Sequence, residues 1–230
     1  MSRLPLAELQ RRSPQLRRAV LRARFGDLAR ISPLTAWGFQ RGTPVDRWYI
    51  ESFLREHAHL VAGQVLEVKE DLYASHLGAS TVEVVDIDAS NAVATIVGDL
   101  CAPDTLPPHA FDTALLTQTL QYLAEPMLAV RNVLASLRPS GSLLLTVPCL
   151  GRIDGPSDSW RWTPAGLESL LRQACRGREV DLVVAGLGNS LAARAFLFGL
   201  AAEDLDPDVL ARDDVDCPLI AVARLRVPSC

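Results

Sequence analysis

Short apolar runs alternating with helical and turn-rich stretches limit what this chain can fold into more than any other feature. VLEV at 65–68, residues 82–85 and 94–97, DTALLT within 111–117 and the run at 142–147 are each too short for a buried helix. Each is bounded by Gly, Pro or a polar turn, so they are expected to be strands, with two more at 180–185 and 219–225. The run at 111–117 is continuous enough to be buried on both faces. Between the strands the period changes to that of a helix. Val45, Tyr49, Phe53 and Leu60 fall near helical spacing in 45–60, with Ile50 and Leu54 beside them. A short helix ends near Gly78, and an amphipathic one over 127–137 is stopped by Pro139 and Gly141. A further helix opens at Thr163 with Pro164 in its first position, and 188–202 reads as a strongly apolar helix. The acidic stretch EDLDPDVLARDDVD at 203–216 reads as a surface loop. Strands alternating with helices imply an α/β domain whose mainly parallel sheet is covered on both faces.

The first 45 residues read as helical, broken at Pro14 and Pro33, and lead into the turn Gly42-Thr43-Pro44. The expected organisation is therefore a helical N-terminal cap, 1–44, on one domain, 45–230. Charge excludes some function classes. With 23 Lys and Arg against 27 Asp and Glu, the net charge of −4 gives no footing for nucleic acid. The positive charge gathers near the start, at Arg3, Arg11, Arg12, Arg17, Arg18, Arg22, Arg24 and Arg30; such a helix packs on its own domain more often than on a membrane or acidic partner. Lys69 is the only lysine in the chain. The five cysteines are scattered with no C-x-x-C pair, which argues against a zinc site or disulfide framework and for reduced thiols in a cytoplasmic protein. No apolar run is long enough to span a bilayer, and no secretory signal is apparent. His57, His59, His76 and His109 include no i, i+4 pair, so no metal is expected.

In an open α/β sheet, ligands bind beyond the carboxyl ends of the strands, where strand order reverses. The residues that follow the strands here are Glu67 to Asp71 after the first, then Asp86, Ile87 and Asp88 after the second. Asp99 follows the third, Gln118 the fourth and Pro148 the fifth. An acid after the second strand can accept hydrogen bonds from two ribose hydroxyls, and a short polar residue after the third can receive an adenine amine. Each alone is also ordinary turn chemistry; the order and spacing of the set are more specific.

These pieces, VLEV at 65–68, VVDID at 84–88, GDL at 98–100, FDTALLTQTLQYL at 111–123 and LRPSGSLLLTVP at 137–148, resemble the core of the class I S-adenosylmethionine-dependent methyltransferases, in their type 11-like, small-molecule branch. WRWT at 160–163 resembles a recurring piece of the same branch. The resemblance covers 45–171, and more loosely the remainder. It implies a doubly wound, Rossmann-like, seven-stranded sheet with the last strand antiparallel, and S-adenosylmethionine as cofactor. Carried over by position, it puts Glu67 near the methionine amine, Asp86 with Ile87 at the ribose and Asp99 with Leu100 along the adenine. Gln118 falls beside the methionine part or the methyl group. The departure is in the first loop. The family reads E-x-G-x-G there, and this chain has Lys69 and Asp71 at the two glycine positions. A lysine there either crowds the methionine part or pairs with its carboxylate.

Methyl transfer from a sulfonium rests mainly on alignment of nucleophile, methyl and sulfur. In this fold the segment before the core often closes over the cofactor, which makes Arg47 a candidate carboxylate clamp and Tyr49 a candidate contact to the sulfonium. The competing reading is a plain helix start, with Asp46 on the dipole and the aromatics packed inward. Trp160, Arg161 and Trp162, with Thr119 and Tyr122, border the expected acceptor pocket; Asn189 is either near it or a helix cap. The expected catalytic set is Tyr49, Gln118 and Trp160. The implied activity is O- or N-methylation of a small molecule, in natural-product or sugar metabolism. Two alternatives stand beside it: non-methyl chemistry on the same cofactor, with alkyl transfer or cyclisation releasing methylthioadenosine, and a degenerate, non-catalytic binding domain.

Overall fold

The computed structural model describes residues 15–16, 18–20 and 32–229. Seven strands form one sheet: β1 (Gln64–Val68), β2 (Thr81–Asp86), β3 (Ile96–Val97), β4 (Phe111–Thr117), β5 (Leu137–Pro148), β6 (Asp181–Leu187) and β7 (Ile220–Arg226). Their order is β3-β2-β1-β4-β5-β7-β6. β1 to β5 pair in parallel, and β7 runs antiparallel to both β5 and β6. The expected doubly wound, seven-stranded sheet with an antiparallel last strand is present.

Side-chain parity along the central strands divides the core in two. Leu66, Ala114, Leu116, Leu143 and Leu145 face one layer, built by α3 (Pro126–Ser136) and α4 (Pro164–Ala174). Val65, Leu115 and Leu144 face the other, where α1 (Val45–Glu56) and α5 (Ser190–Leu197) contribute Tyr49, Ile50, Phe53, Leu54, Ala192 and Phe196. Local chemistry starts the helices where they are needed. Thr163 caps α4 by accepting from Gly166 N, and Pro164 occupies its first turn. Asn189 caps α5 from Leu191 N and Ala192 N while its amide donates to the carbonyls of Val209 and Arg212, so it is a structural cap. Among the described residues, no helix is long and apolar enough to cross a membrane.

The first half of the sheet has slight connections. β1 and β2 are joined through the four-residue helix α2 (Ala74–Leu77). The link from β2 to β3 holds no helix. It is a string of turns in which Asp88 accepts from Ser90 N and Asn91 from Val93 N. A backbone turn in which Ala94 N donates to Asn91 O takes up the first residue of the strand expected at 94–97, and β3 is only two residues long. At the other end of the chain, α5 is shorter than the expected 188–202 helix because Gly199 adopts φ +70°. The acidic stretch is also more ordered than expected: it carries part of a 3₁₀ turn, Ala202–Asp204, and α6 (Pro207–Leu210), capped by Asp206.

Most of the expected N-terminal cap lies outside the described residues. Its described end, 32–44, is not helical but a strap of bends and turns laid along 198–204. Leu34 N donates to Phe198 O, Thr35 Oγ1 to Gly199 O, and Pro44 bridges Ala201. Arg41 grips Asp204 with two hydrogen bonds of 2.7 Å. A side chain at Gly199 would put its Cβ 2.2 Å from Thr35 O, so the close approach of the strap requires glycine there.

Leu115 is fully buried in the middle of β4. We expect Leu115→Ala to lower the unfolding free energy by about 2–5 kcal/mol, from lost transfer energy and the cavity left behind, measured by chemical denaturation at unchanged m-value.

Candidate functional site

Strand order reverses between β1 and β4, whose onward connections leave in opposite directions along the sheet. The rim beyond the carboxyl ends of β3, β2, β1 and β4 therefore carries Asp99, Asp86, Lys69 and Gln118 in a row, as the sequence predicts.

Asp86 ends β2 half-buried. Its Oδ1 accepts from Asp88 N at 3.0 Å and its Oδ2 from the Asn91 amide at 2.7 Å. Ile87 follows with its side chain 70% exposed. Asp99 lies just past β3, with Oδ1 accepting from Cys101 N. Leu100 is only 4% exposed: its side chain joins the core and its carbonyl receives the Asn132 amide, so it presents little surface to a ligand. Lys69 has φ +73° and Gln118 φ +48°. Both are left-handed conformations that ordinary side chains seldom adopt, and at strand ends they are a signature of a constrained site. Lys69 keeps the turn that a glycine would make, with its side chain exposed.

Three expected site residues are placed elsewhere in function. Glu67 is 1% exposed and turned inward: its carboxylate accepts from Tyr73 N and from Ala74 N at 2.8 Å, at the start of α2. It shapes the first loop and is closed to a ligand amine. Tyr49 is 2% exposed, stacked edge-on against Trp48, with its hydroxyl donating to Leu210 O. It is a core residue, not a contact to a sulfonium. Arg47 places its guanidinium 5.3 Å from the Phe39 ring centre, a cation–π contact that holds the strap. Asp46 beside it is pushed up to about 6 by burial, although the Arg47 backbone amide and charge pull the other way. Asp71 accepts from Ser75 N in the first loop.

A second group of polar side chains gathers beyond β4 and β5. Gln118 reaches Thr146 Oγ1 at 3.3 Å, and Gln121 reaches Gln118 Oε1 at 3.5 Å. Among the described residues, Gln121 Oε1 is the buried side-chain atom left without a donor. The 149–162 segment closes against these residues. Ser159 N donates to Gln121 O, and the Trp160 indole donates to Leu123 O while its ring stays 42% exposed, stacked on Trp162. Tyr122 donates to Asp154 at 3.0 Å; burial and that carboxylate push its hydroxyl up to about 12. Arg161 is held by Asp158. Gln121, Asp154 and Asn91 were not legible as site residues, although D-x-D-x-x-N after a strand was a visible signal for the last. A separate open cavity of about 890 Å³ lies at the opposite rim, between the ends of α4 and β7 and the start of β6, far from these groups.

Residues 59–145 match the family described as "Methyltransferase domain". No curated protein matches the chain. Among solved structures, it is similar to a possible histamine N-methyltransferase from Thermotoga maritima (16% identity, 82% of this chain and 94% of that one, TM-score 0.54). It is also similar to an S-adenosylmethionine-dependent methyltransferase from Archaeoglobus fulgidus (13% identity, 78% and 94%, TM-score 0.52) and to the [4+2]-cyclase SpnF (18% identity, 83% and 85%, TM-score 0.53). At such identities these likenesses are of fold.

Burial pushes the Glu67 carboxyl up to about 7, against the pull of the Ala74 and Tyr73 amides. Its folded pKa thus stands above the unfolded one, so the folded state holds the extra proton and stability falls as pH rises from about 4.5 through 7. We expect a carbon-13 NMR titration to find this carboxyl changing near neutrality, and Glu67→Gln to flatten that part of the stability–pH curve.

Proposed function

We propose that the chain is a class I S-adenosylmethionine-dependent methyltransferase, a reading supported by the methyltransferase-domain match over residues 59–145 and by the fold, and that it methylates an oxygen or nitrogen of a small-molecule acceptor. The observation that carries this reading is the row of Asp99, Asp86, Lys69 and Gln118 along one rim at the strand-order reversal.

The polar atoms there fit the cofactor. Each Asp86 oxygen accepts one protein hydrogen bond, and a carboxylate oxygen has room for another, so a pair of ribose hydroxyls finds one free direction on each. Ile87 offers apolar surface for a flat base, next to the acceptor capacity of Asp99. The left-handed Lys69 backbone makes the glycine turn, and its exposed ammonium suits a ligand carboxylate. When bound, the cofactor supplies a methyl group activated by its sulfonium.

The chain's own contribution is placement. Gln118, held by Thr146, stands between the cofactor rim and the 149–162 segment. Tyr122 and the exposed face of Trp160 offer a flat wall with a hydroxyl for the acceptor. Because Tyr122 stays protonated at neutral pH, it orients an acceptor by hydrogen bonding and does not serve as a base. Positioning of this kind is worth several kcal/mol of a barrier, on the order of 7 in well-aligned cases.

Calorimetric titration with S-adenosylmethionine and S-adenosylhomocysteine tests the reading. We expect binding that Asp86→Ala weakens by about 100-fold or more, the worth of two hydrogen bonds to a charged group at about 1.5 kcal/mol each. Methylated product with S-adenosylhomocysteine in a metabolite screen supports the proposal. Methylthioadenosine released without an acceptor would move the assignment to non-methyl chemistry, and absence of binding by folded protein would sink it.

A further inference from the structure

The link between β2 and β3 contains a side chain in an unusual position for a turn residue. The single Nδ2 of Asn91 donates at 2.7 Å to Asp86 Oδ2 and at 2.7 Å to Lys69 O. Its Oδ1 accepts from Val93 N at 3.1 Å. That pattern fixes the orientation of the amide, because exchanging N and O would set a carbonyl oxygen against a carboxylate and a second carbonyl. Both hydrogens of the amide are thereby used, one on the loop after β1 and one on the acid after β2.

The consequence for Asp86 is geometric. With Oδ1 on Asp88 N and Oδ2 on Asn91, the carboxylate is gripped from the side of its own loop, and one lone pair on each oxygen is left over. A carboxylate at the end of a free side chain would have to give up rotamer freedom on binding a diol; this one has already done so. Lys69 needs the same support. It is a non-glycine residue at φ +73°, and the bond to its carbonyl helps to hold that conformation. With no helix between β2 and β3, there is no helical scaffold there to fix the loop.

We infer that Asn91 is a positioning residue for the adenosyl ligand, tying the first loop to Asp86 so that the ribose-binding and amino-acid-binding ends of the site are held as one unit. This rests on the reading of the rim as a cofactor site. Asn91 touches neither reacting atom. It acts through Asp86, whose carboxylate it holds while anchored on the Lys69 carbonyl.

A double-mutant cycle separates that role from general loop support. S-adenosylhomocysteine is titrated into the unaltered chain, Asn91→Ala, Asp86→Asn and the double variant, and the ligand-free melting temperature of each is recorded. We expect Asn91→Ala to weaken binding by about 10-fold in the unaltered background, the worth of roughly 1.4 kcal/mol, and by less than about twofold beside Asp86→Asn. Asn91→Ser serves if the alanine variant does not fold, since its hydroxyl can still accept from Val93 N while carrying only one hydrogen for the two acceptors. Binding that is unchanged or tighter in Asn91→Ala overturns the inference, the tighter case meaning that the amide merely occupies the ligand's place. An equal loss in both backgrounds overturns it too, as support that does not pass through Asp86. If the unaltered chain binds no ligand, the methyl-transfer reading falls and takes this inference with it, whereas binding indifferent to Asn91 overturns the inference alone.

Discussion

Burial of β4 on both faces is the constraint on which the rest of the structure depends. Leu115 needs one apolar layer and Ala114 with Leu116 another, so neither side of the sheet can be left to water. Flanked by β1 and β5, the strand also fixes the place where chain direction along the sheet reverses. Two packed layers and one reversal then leave a single rim where loops from opposite sides of the sheet meet, and the polar residues of the site stand there.

What was legible in the sequence follows the range of the forces involved. Continuous apolar runs mark buried strands, and the pattern located β1, β2, β4, β6 and β7 within two residues, while β5 begins five residues earlier than expected. It overran at β3, where a backbone turn from Asn91 to Ala94 leaves two of the expected four residues in the strand. It also failed for 32–44, whose shape comes from partners more than 150 residues away, such as Asp204 and Gly199. Periodicity cannot report contacts of that separation.

The site was legible as positions and less so as directions. Asp86, Lys69 and Gln118 stand at the strand ends where the sequence put them. Glu67 was misjudged although the signal was present: it shares strand parity with Val65, and that face is covered by a helical layer. Tyr49 likewise lies in the same helical stripe as Val45 and Phe53, which already marked it as core. The missing glycines of the first loop looked like the greatest loss. The backbone of Lys69 adopts a left-handed conformation of the kind a glycine allows, whereas Asp71, at the second position, does not take a positive φ.

The strap has a temporal meaning. Its partners at 198–204 are synthesised some 160 residues after it: Thr35 and Gly199 are 164 apart, Arg41 and Asp204 163, and Thr43 and Glu203 160. During synthesis, residues 34–44 can meet Arg152 first, at Ala36 and Trp37, but most of their docking surface is missing until 198–204 have left the ribosome. The sheet can begin to order from β1 to β5 while the strap waits, and its docking belongs to the last stage of folding, after the slowest long-range contacts have closed. A chain truncated before Ala201 would lose more than its final strand: the grip of Arg41 on Asp204 and of Thr43 on Glu203 would go with it, loosening residues 41–44 of the strap.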